Sequence, residues 1–161
     1  MKPLTVLSFG GGQDSTAILY RLLHDPMARA RYAPGELLVL MADTEDEYAD
    51  TLAHVETIKA LCAEKGVEFH VGGEAWRRPS WQKGGLRGFM QRSSTIIIKA
   101  QRKTCTDQLK LTPLYAFLDW WIADRAGSTA LAAKRGRGKF AIKRYVETQG
   151  KIQMLIGIAR G

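Results

Sequence analysis

Three consecutive glycines, Gly10 to Gly12, separate an apolar run from a helical pattern near the start of the chain. The run before them, residues 4–9, stops abruptly at glycine and predicts a buried strand. A strand that turns directly into a helix leaves the first helical amides unpaired, and glycine lets an anion approach them closely. The segment therefore predicts an anion-binding turn, with Asp14 as the helix cap and the hydroxyls of Ser15 and Thr16 as further donors.

The pattern of the first 72 residues predicts a parallel α/β sheet. A helix is expected from Ser15 to about Arg31, ended or kinked by Pro26, and a second helix over 51–66. Strands are expected over 36–43 and 67–72, so the order is strand, helix, strand, helix, strand. We expect a Rossmann-like open sheet with helices on both faces, within one domain over 1–161.

The second half of the chain is less regular. Residues 73–104 predict a long basic loop with a short helix at 86–92, and a helix with Pro113 in its first turn is expected over 111–127. Within the basic segment 125–150, residues 128–144 are ambiguous and their "KRGRGK" is expected to be mobile. A last strand is expected over 151–159.

Charge is divided unevenly between the two halves. Residues 1–74 hold 6 Lys/Arg and 12 Asp/Glu, whereas residues 75–161 hold 18 Lys/Arg and 4 Asp/Glu. No acid lies between Glu74 and Asp107 or between Asp124 and Glu147. Such asymmetry indicates a phosphate-rich partner, either a nucleotide or a nucleic acid bound through 75–104 and 125–146, although a solvated basic surface is equally compatible.

Several classes of protein are not expected. Cys62 and Cys105 have no metal-ligand spacing, and the three histidines are scattered, so neither a structural zinc nor an iron–sulfur cluster is expected. No apolar run approaches the ~20 residues of a membrane span, and the N-terminus does not resemble a signal peptide. We therefore expect a cytoplasmic protein without a membrane partner; a homodimer remains open.

Two common phosphate loops do not fit the glycines, and a third does. The Walker A loop needs a lysine that is absent here, and the dinucleotide fingerprint needs glycine where the chain has Ser15. The segment "GGGQDS", residues 10–15, resembles the PP-loop, S-G-G-x-D-S, at Gly11, Gly12, Asp14 and Ser15. The departure is Gly10, where that superfamily usually has serine.

Further segments resemble the phosphoadenosine phosphosulfate (PAPS) reductase-like branch of the PP-loop superfamily, particularly its short phage and bacterial members. "DTEDEYADT", residues 43–51, resembles D-T-x-x-E…T, and "RKTCTDQLKLTP", residues 102–113, resembles R-x-x-C-T-x-x-x-K-x-x-P. "MLIGIARG", residues 154–161, is similar to the G-I-x-R strand end that closes the family's nucleotide pocket. Because ligands of open parallel sheets lie beyond the carboxyl ends of the strands, the loops after strands one and two are expected to meet over one site.

The resemblance implies an adenine nucleotide, ATP or PAPS-like, with Mg²⁺ at Asp14 or Asp43, in the host cytoplasm if the protein is phage-encoded. It assigns catalytic roles to Asp14, Ser15, Asp43 and Lys110. The implied nucleotide- and phosphate-binding residues are Ser8, Gly10, Gly11, Gly12, Gln13, Asp14, Ser15, Thr16, Asp43, Thr44, Glu47, Arg102, Cys105, Thr106, Lys110, Gly157 and Arg160. Of these, Arg102, Lys110 and Arg160 would neutralise phosphate or sulfate.

Three functions stay open on the sequence. The first is cleavage of the α–β phosphate bond of ATP to adenylate a substrate. The second is PAPS reduction to sulfite, which in the family uses a late cysteine; this chain has none, unless it continues past Gly161, and Cys105 matches a motif position that is not the nucleophile. The third is nucleic-acid binding with a degenerate nucleotide pocket, in which Trp76, Trp81 and Phe89 either stack on bases or pack on the core.

Overall fold

The computed structural model describes residues 3–45, 47–78, 81, 83–94, 96, 106–127 and 139–157. Within them lies a four-stranded, all-parallel sheet of order β3-β2-β1-β4, which confirms the α/β class. The strands are β1 (Leu4–Phe9), β2 (Glu36–Ala42), β3 (Glu68–Gly72) and β4 (Gln153–Ile156). Each begins within two residues of its predicted start. Strand β4 ends at Ile156, and residues 158–159 of its predicted range lie outside the described residues.

Six α-helices occur in the described ranges. They are α1 (Gln13–His24), α2 (Pro26–Tyr32), α3 (Ala49–Glu64), α4 (Gly85–Ser93), α5 (Thr112–Arg125) and α6 (Phe140–Gln149). A 3₁₀ turn covers Glu74–Trp76, and a π-helical segment, Thr106–Leu111, leads into α5. None of these helices is both long and apolar enough to cross a bilayer.

The predicted helix from Ser15 to Arg31 is two helices. Asp25 ends α1 in an extended conformation, and its carboxylate then accepts hydrogen bonds from the amides of Met27 and Ala28, so it caps α2. Pro26 occupies the first position of α2, where its missing N–H costs nothing. The proline was therefore correctly expected to interrupt the helix, and Asp25 turns that interruption into a new start.

The described residues divide into two compact units. The first unit comprises residues 1–41, 48–70 and 146–161, and the second comprises 42–47 and 71–145. In the first unit β1 pairs in parallel with β2 and with β4, through registers that include Phe9 with Met41 and Ser8 with Ile156. All β1 residues except Ser8 are buried, so this strand is the centre of the core of the unit.

Helix α5 is the core of the second unit. Apolar side chains are buried on several of its sides, among them Leu114, Phe117, Leu118, Trp121 and Ile122. A helix that is apolar nearly all round is an interior helix. Its one buried acid, Asp119, accepts a hydrogen bond at 2.9 Å from the amide of Ile142, in the first turn of α6. Helix α6 thus receives its cap from α5, and it lies in a segment that the sequence left ambiguous.

Candidate nucleotide-binding loop

The glycines form the connection from β1 to α1, as the sequence predicts. Gly10 follows the last residue of β1, Gly12 is the N-terminal cap residue of α1, and no side chain caps this helix. Asp14 lies inside the first helical turn, so the prediction that it caps the helix is wrong. A helix N-terminus without a side-chain cap, beside the exposed Gly10 and Gly12, is the kind of helix end at which anions bind.

Ser15 holds the shape of the loop. Its hydroxyl donates to the carbonyl oxygen of Gly12 at 3.1 Å and accepts from the amide of Gly10 at 3.2 Å. The side chain is buried, and its single proton is committed to the Gly12 carbonyl. In this conformation Ser15 organises the glycines, and its own proton is not offered to a ligand.

Gly11 fixes the contact between the loop and α3. It has φ +72°, a left-handed conformation that L side chains rarely adopt, and a Cβ built there would lie 2.8 Å from Cγ2 of Thr51. Thr51 belongs to the second family-like segment of the sequence. The glycine at this position is therefore required both by the backbone conformation and by the closeness of α3.

Thr16 extends the contact between α1 and α3. Its Oγ1 lies 3.0 Å from Nε2 of His54, and the His54 ring lies 6.4 Å from the Phe9 ring, centroid to centroid. His54 follows Thr51 by three residues and so shares its helix face. Sequence reasoning did not single out His54; the available signal was its helical spacing from Thr51.

The end of β4 closes the other side of the loop. A Cβ at Gly157 would lie 2.9 Å from the amide nitrogen of Ser15 and 3.0 Å from Cβ of Asp14. The chain leaving β4 thus touches the first turn of α1; that Gly157 closes a nucleotide pocket stays a prediction. Ser8 lies within β1, in register with Ile156, and Gln13 is the exposed first residue of α1. Arg160 lies outside the described residues.

The acidic segment after β2 belongs to the second unit and folds on its own hydrogen bonds. Oδ1 of Asp43 accepts from the amide of Glu45 at 2.8 Å, an arrangement typical of an Asx turn. The Thr44 hydroxyl, which is buried, donates to Oε1 of Glu47 at 2.9 Å. Glu45 itself has φ +62°. Asp43, Thr44 and Glu47 are therefore drawn into one tight turn at the end of β2.

Arg77 anchors this acidic turn from within the second unit. Its side chain is completely buried, Nη1 donates to Oε1 of Glu45 at 2.5 Å, and Nη2 donates to the carbonyl oxygen of Asp43. One guanidinium thus binds both a side chain and the backbone of the turn. Sequence reasoning missed Arg77 because it is one of many bases in 75–104, and only the fold distinguishes it.

The remaining family-like segment is described only in part. Thr106 and Lys110 are exposed in the π-helical segment that precedes α5, and π-helical turns are frequent at functional sites. Arg102 and Cys105 lie outside the described residues. Within the described ranges no group of three or more His, Cys, Asp or Glu side chains could hold a metal ion.

The aromatic residues considered as base-stacking groups pack inside the second unit. Trp76 contacts the rings of Phe117 and Trp120 at centroid distances of 5.3 and 5.4 Å. Trp81 is buried and stacks on Phe89 at 3.7 Å with an interplanar angle of 6°. These three side chains thus pack on other aromatic rings, Trp76 and Phe89 while half-buried, and base stacking stays a prediction.

Cys62 is buried in α3, and burial raises the pKa of its thiol to about 11. We expect iodoacetamide to modify Cys62 slowly near neutral pH and faster as pH rises toward 11, because the thiolate is the nucleophile. Because the folded protein holds this thiol neutral, the raised pKa adds to the free energy of unfolding. That contribution is fully present below about pH 9 and is lost as the pH rises toward 11.

Mass spectrometry of the Cys62 peptide measures this rate separately from that of Cys105. The same peptide in urea supplies the unfolded reference. Modification at pH 7 that is as fast in the folded protein as in urea would contradict the burial of this thiol.

A scan against protein-family models finds no match for this chain, and a search of curated proteins finds none either.

Proposed function

We propose that the chain is an adenine-nucleotide-binding enzyme of the PP-loop type, similar to the PAPS reductase-like branch, which cleaves the α–β phosphate bond of ATP and adenylates a substrate. The observation that carries this proposal is the β1–α1 connection: glycines without a side-chain cap, held by Ser15 and seated against α3 through Gly11. The acidic turn and the "GIAR" segment add the family-like sequence context.

The order of the strands supports a ligand site at the carboxyl ends of the strands, where the glycine loop lies. The chain builds β1, β2 and β3 in one direction across the sheet, and β4 then pairs on the opposite side of β1. In open parallel sheets such a reversal opens a crevice at the carboxyl ends of the strands, and ligands bind there. The glycine loop leaves β1 at this end, and Gly157 leaves β4 beside it.

The chemistry needs positioning and charge neutralisation more than a protein nucleophile. In the proposal, amides of the glycine loop and the first turn of α1 bind the phosphate chain, and Ser15 keeps those amides in place. By the resemblance, Lys110, Arg102 and Arg160 would neutralise the charge that develops on the leaving pyrophosphate. Thr16, which contacts His54, orients the start of α1.

Mg²⁺ would be held by Asp14 or Asp43. The exposed carboxylate of Asp14 is a donor that this ion accepts, and Asp43 retains a second oxygen beside the one that binds the Glu45 amide. When bound, Mg²⁺ supplies charge neutralisation at the phosphates. One or two protein carboxylates would be enough, because Mg²⁺ bound together with a nucleotide takes its other ligands from the substrate phosphates and from water.

A thermal-shift panel of ATP, AMP, PAPS and pyrophosphate, with and without Mg²⁺, tests the proposal. A ligand at 100 times its Kd adds ~2.7 kcal/mol to the stability of the native state. For a chain of this size each kcal/mol raises Tm by about 2–4 °C, so ATP is expected to raise Tm by roughly 5–10 °C. The shift should be absent in an Asp14→Ala, Ser15→Ala double variant.

Product analysis with ATP, Mg²⁺ and a range of acceptors should then find AMP and pyrophosphate. The Tyr20→Phe variant is the control, because Tyr20 is an exposed residue of α1 that lies outside the proposed site. No Tm shift with any adenine nucleotide would reject the proposal. Release of sulfite from PAPS in the presence of thioredoxin would instead indicate that the protein is a reductase and not an adenylating enzyme.

A further inference from the structure

A second concave surface lies wholly within the second unit. This groove has a volume of about 460 Å³ and runs along one side of the first half of α5. Its lining includes Thr112 and Tyr115 of α5, Arg78, Asp107 and Lys139. The volume lies within the range of sites that bind small molecules or single nucleotide units.

The groove collects bases from both acid-free stretches of the sequence. Arg78 belongs to the stretch between Glu74 and Asp107, and Lys139 belongs to the one between Asp124 and Glu147. Both side chains are exposed. One base from each of two segments that are far apart in sequence therefore lines the same concave surface. If the basic residues served only to keep the surface solvated, they would not need to lie together.

Among the residues that the structure describes, Lys139 has no acidic partner in an ion pair. Its Nζ lies 3.7 Å from the centroid of the Tyr115 ring, a cation–π contact. Such a contact orients the ammonium group but leaves its full positive charge available to an anion. The nearby acid, Asp107, accepts from Nε2 of Gln108 at 2.5 Å, so part of its hydrogen-bonding capacity is used locally.

We propose that this groove binds the backbone of a single-stranded nucleic acid, with phosphates on Arg78 and on Lys139, whose ammonium group Tyr115 holds in place. The backbone of a single strand can follow a narrow concave surface, because its bases are not paired in a duplex. A duplex presents its phosphates on a convex cylinder, and a bilayer presents a plane, so neither would enter the groove. The proposal goes beyond nucleotide binding at the glycine loop and does not depend on it.

Fluorescence anisotropy with a labelled dT12 strand, measured across a series of salt concentrations, tests this surface. In the Arg78→Gln, Lys139→Gln double variant we expect binding at 0.1 M salt to weaken about twentyfold. The slope of log K against log salt should fall by about 1.4, since each lost phosphate contact on a single strand contributes ~0.7. Both residues are exposed, and circular dichroism verifies that the variant folds.

The matched control is Lys59→Gln, Lys151→Gln, which removes the same charge from the first unit. Retention of wild-type affinity and slope in this control supports the groove, and an equal loss in both double variants overturns it. Failure of wild type to bind dT12, or tighter binding to a duplex or to anionic phospholipid vesicles, also overturns it. The ATP-dependent Tm shift of the groove variant should equal that of wild type, so the two sites succeed or fail separately.

Discussion

Replacing Arg77 by methionine is expected to lower the free energy of unfolding by about 3 kcal/mol, because it removes two charge-assisted hydrogen bonds of a buried guanidinium, each worth ~1.5–3 kcal/mol. The guanidinium is fully buried and binds Glu45 and the carbonyl of Asp43. Methionine fills much of the space of the aliphatic part of the Arg77 side chain, so the decrease in the free energy of unfolding reports mainly the lost contacts of the guanidinium. Urea unfolding followed by circular dichroism measures the change.

Arg78→Met is the control for this experiment, since Arg78 is adjacent but exposed and should change stability by less than ~0.5 kcal/mol. Adding Glu45→Gln to Arg77→Met should cost little more, because the contact with Arg77 is already lost and the Glu45 side chain is partly exposed to water. If the Arg77 and Arg78 variants are equally stable, Arg77 does not anchor the acidic turn.

Replacing Gly11 by alanine is expected to cost about 3 kcal/mol and to abolish the ATP-dependent Tm shift. A non-glycine residue in the left-handed region costs ~1–2 kcal/mol, and crowding in a packed region costs ~1–3 kcal/mol more. The new Cβ would be forced to 2.8 Å from Cγ2 of Thr51. Relief of that contact would move the amides that the proposal assigns to phosphate. Chemical denaturation and the nucleotide panel measure the two effects independently.

The neighbouring glycines supply the controls. A Cβ at Gly10 or Gly12 meets no atom within 4 Å, and neither residue has a positive φ, so alanine there should be tolerated. Thr51→Ser removes Cγ2, and in the Gly11→Ala background it should restore the part of the loss due to crowding. A Gly11→Ala protein as stable as Gly12→Ala would show that α3 does not constrain the loop.

The parts of the fold that the sequence predicted are those specified by local signals. Strands β1 and β2 are short buried runs with clear ends, and the Gly10–Gly12 turn follows β1 directly. Pro113 correctly placed the first turn of α5, and Pro26 the interruption after α1. Proline and glycine restrict or free the backbone wherever they occur, so their effect on a helix or turn can be predicted without knowing any tertiary contact.

The features that the sequence did not predict depend on partners distant in the chain. Helix α6 begins where the cap comes from Asp119 on another helix, so the segment itself carries no capping signal. Arg77 becomes an anchor only when Glu45 is brought to it, 32 positions away. The expectation that Asp14 caps α1 was wrong because Ser15, one residue further on, turns back to Gly12 and leaves the cap position to a glycine.

The pairing of β1 with β4 has a consequence for the biosynthesis of the protein. Residues 5–8 hydrogen-bond to residues 153–156, so the most buried strand is made early and receives one of its two neighbours late. Until then that side of β1 exposes unpaired amides and carbonyls, which invite association with other nascent chains. Contacts of such long sequence separation also slow folding. The glycine loop therefore acquires its last wall, at Gly157, only after translation has passed β4.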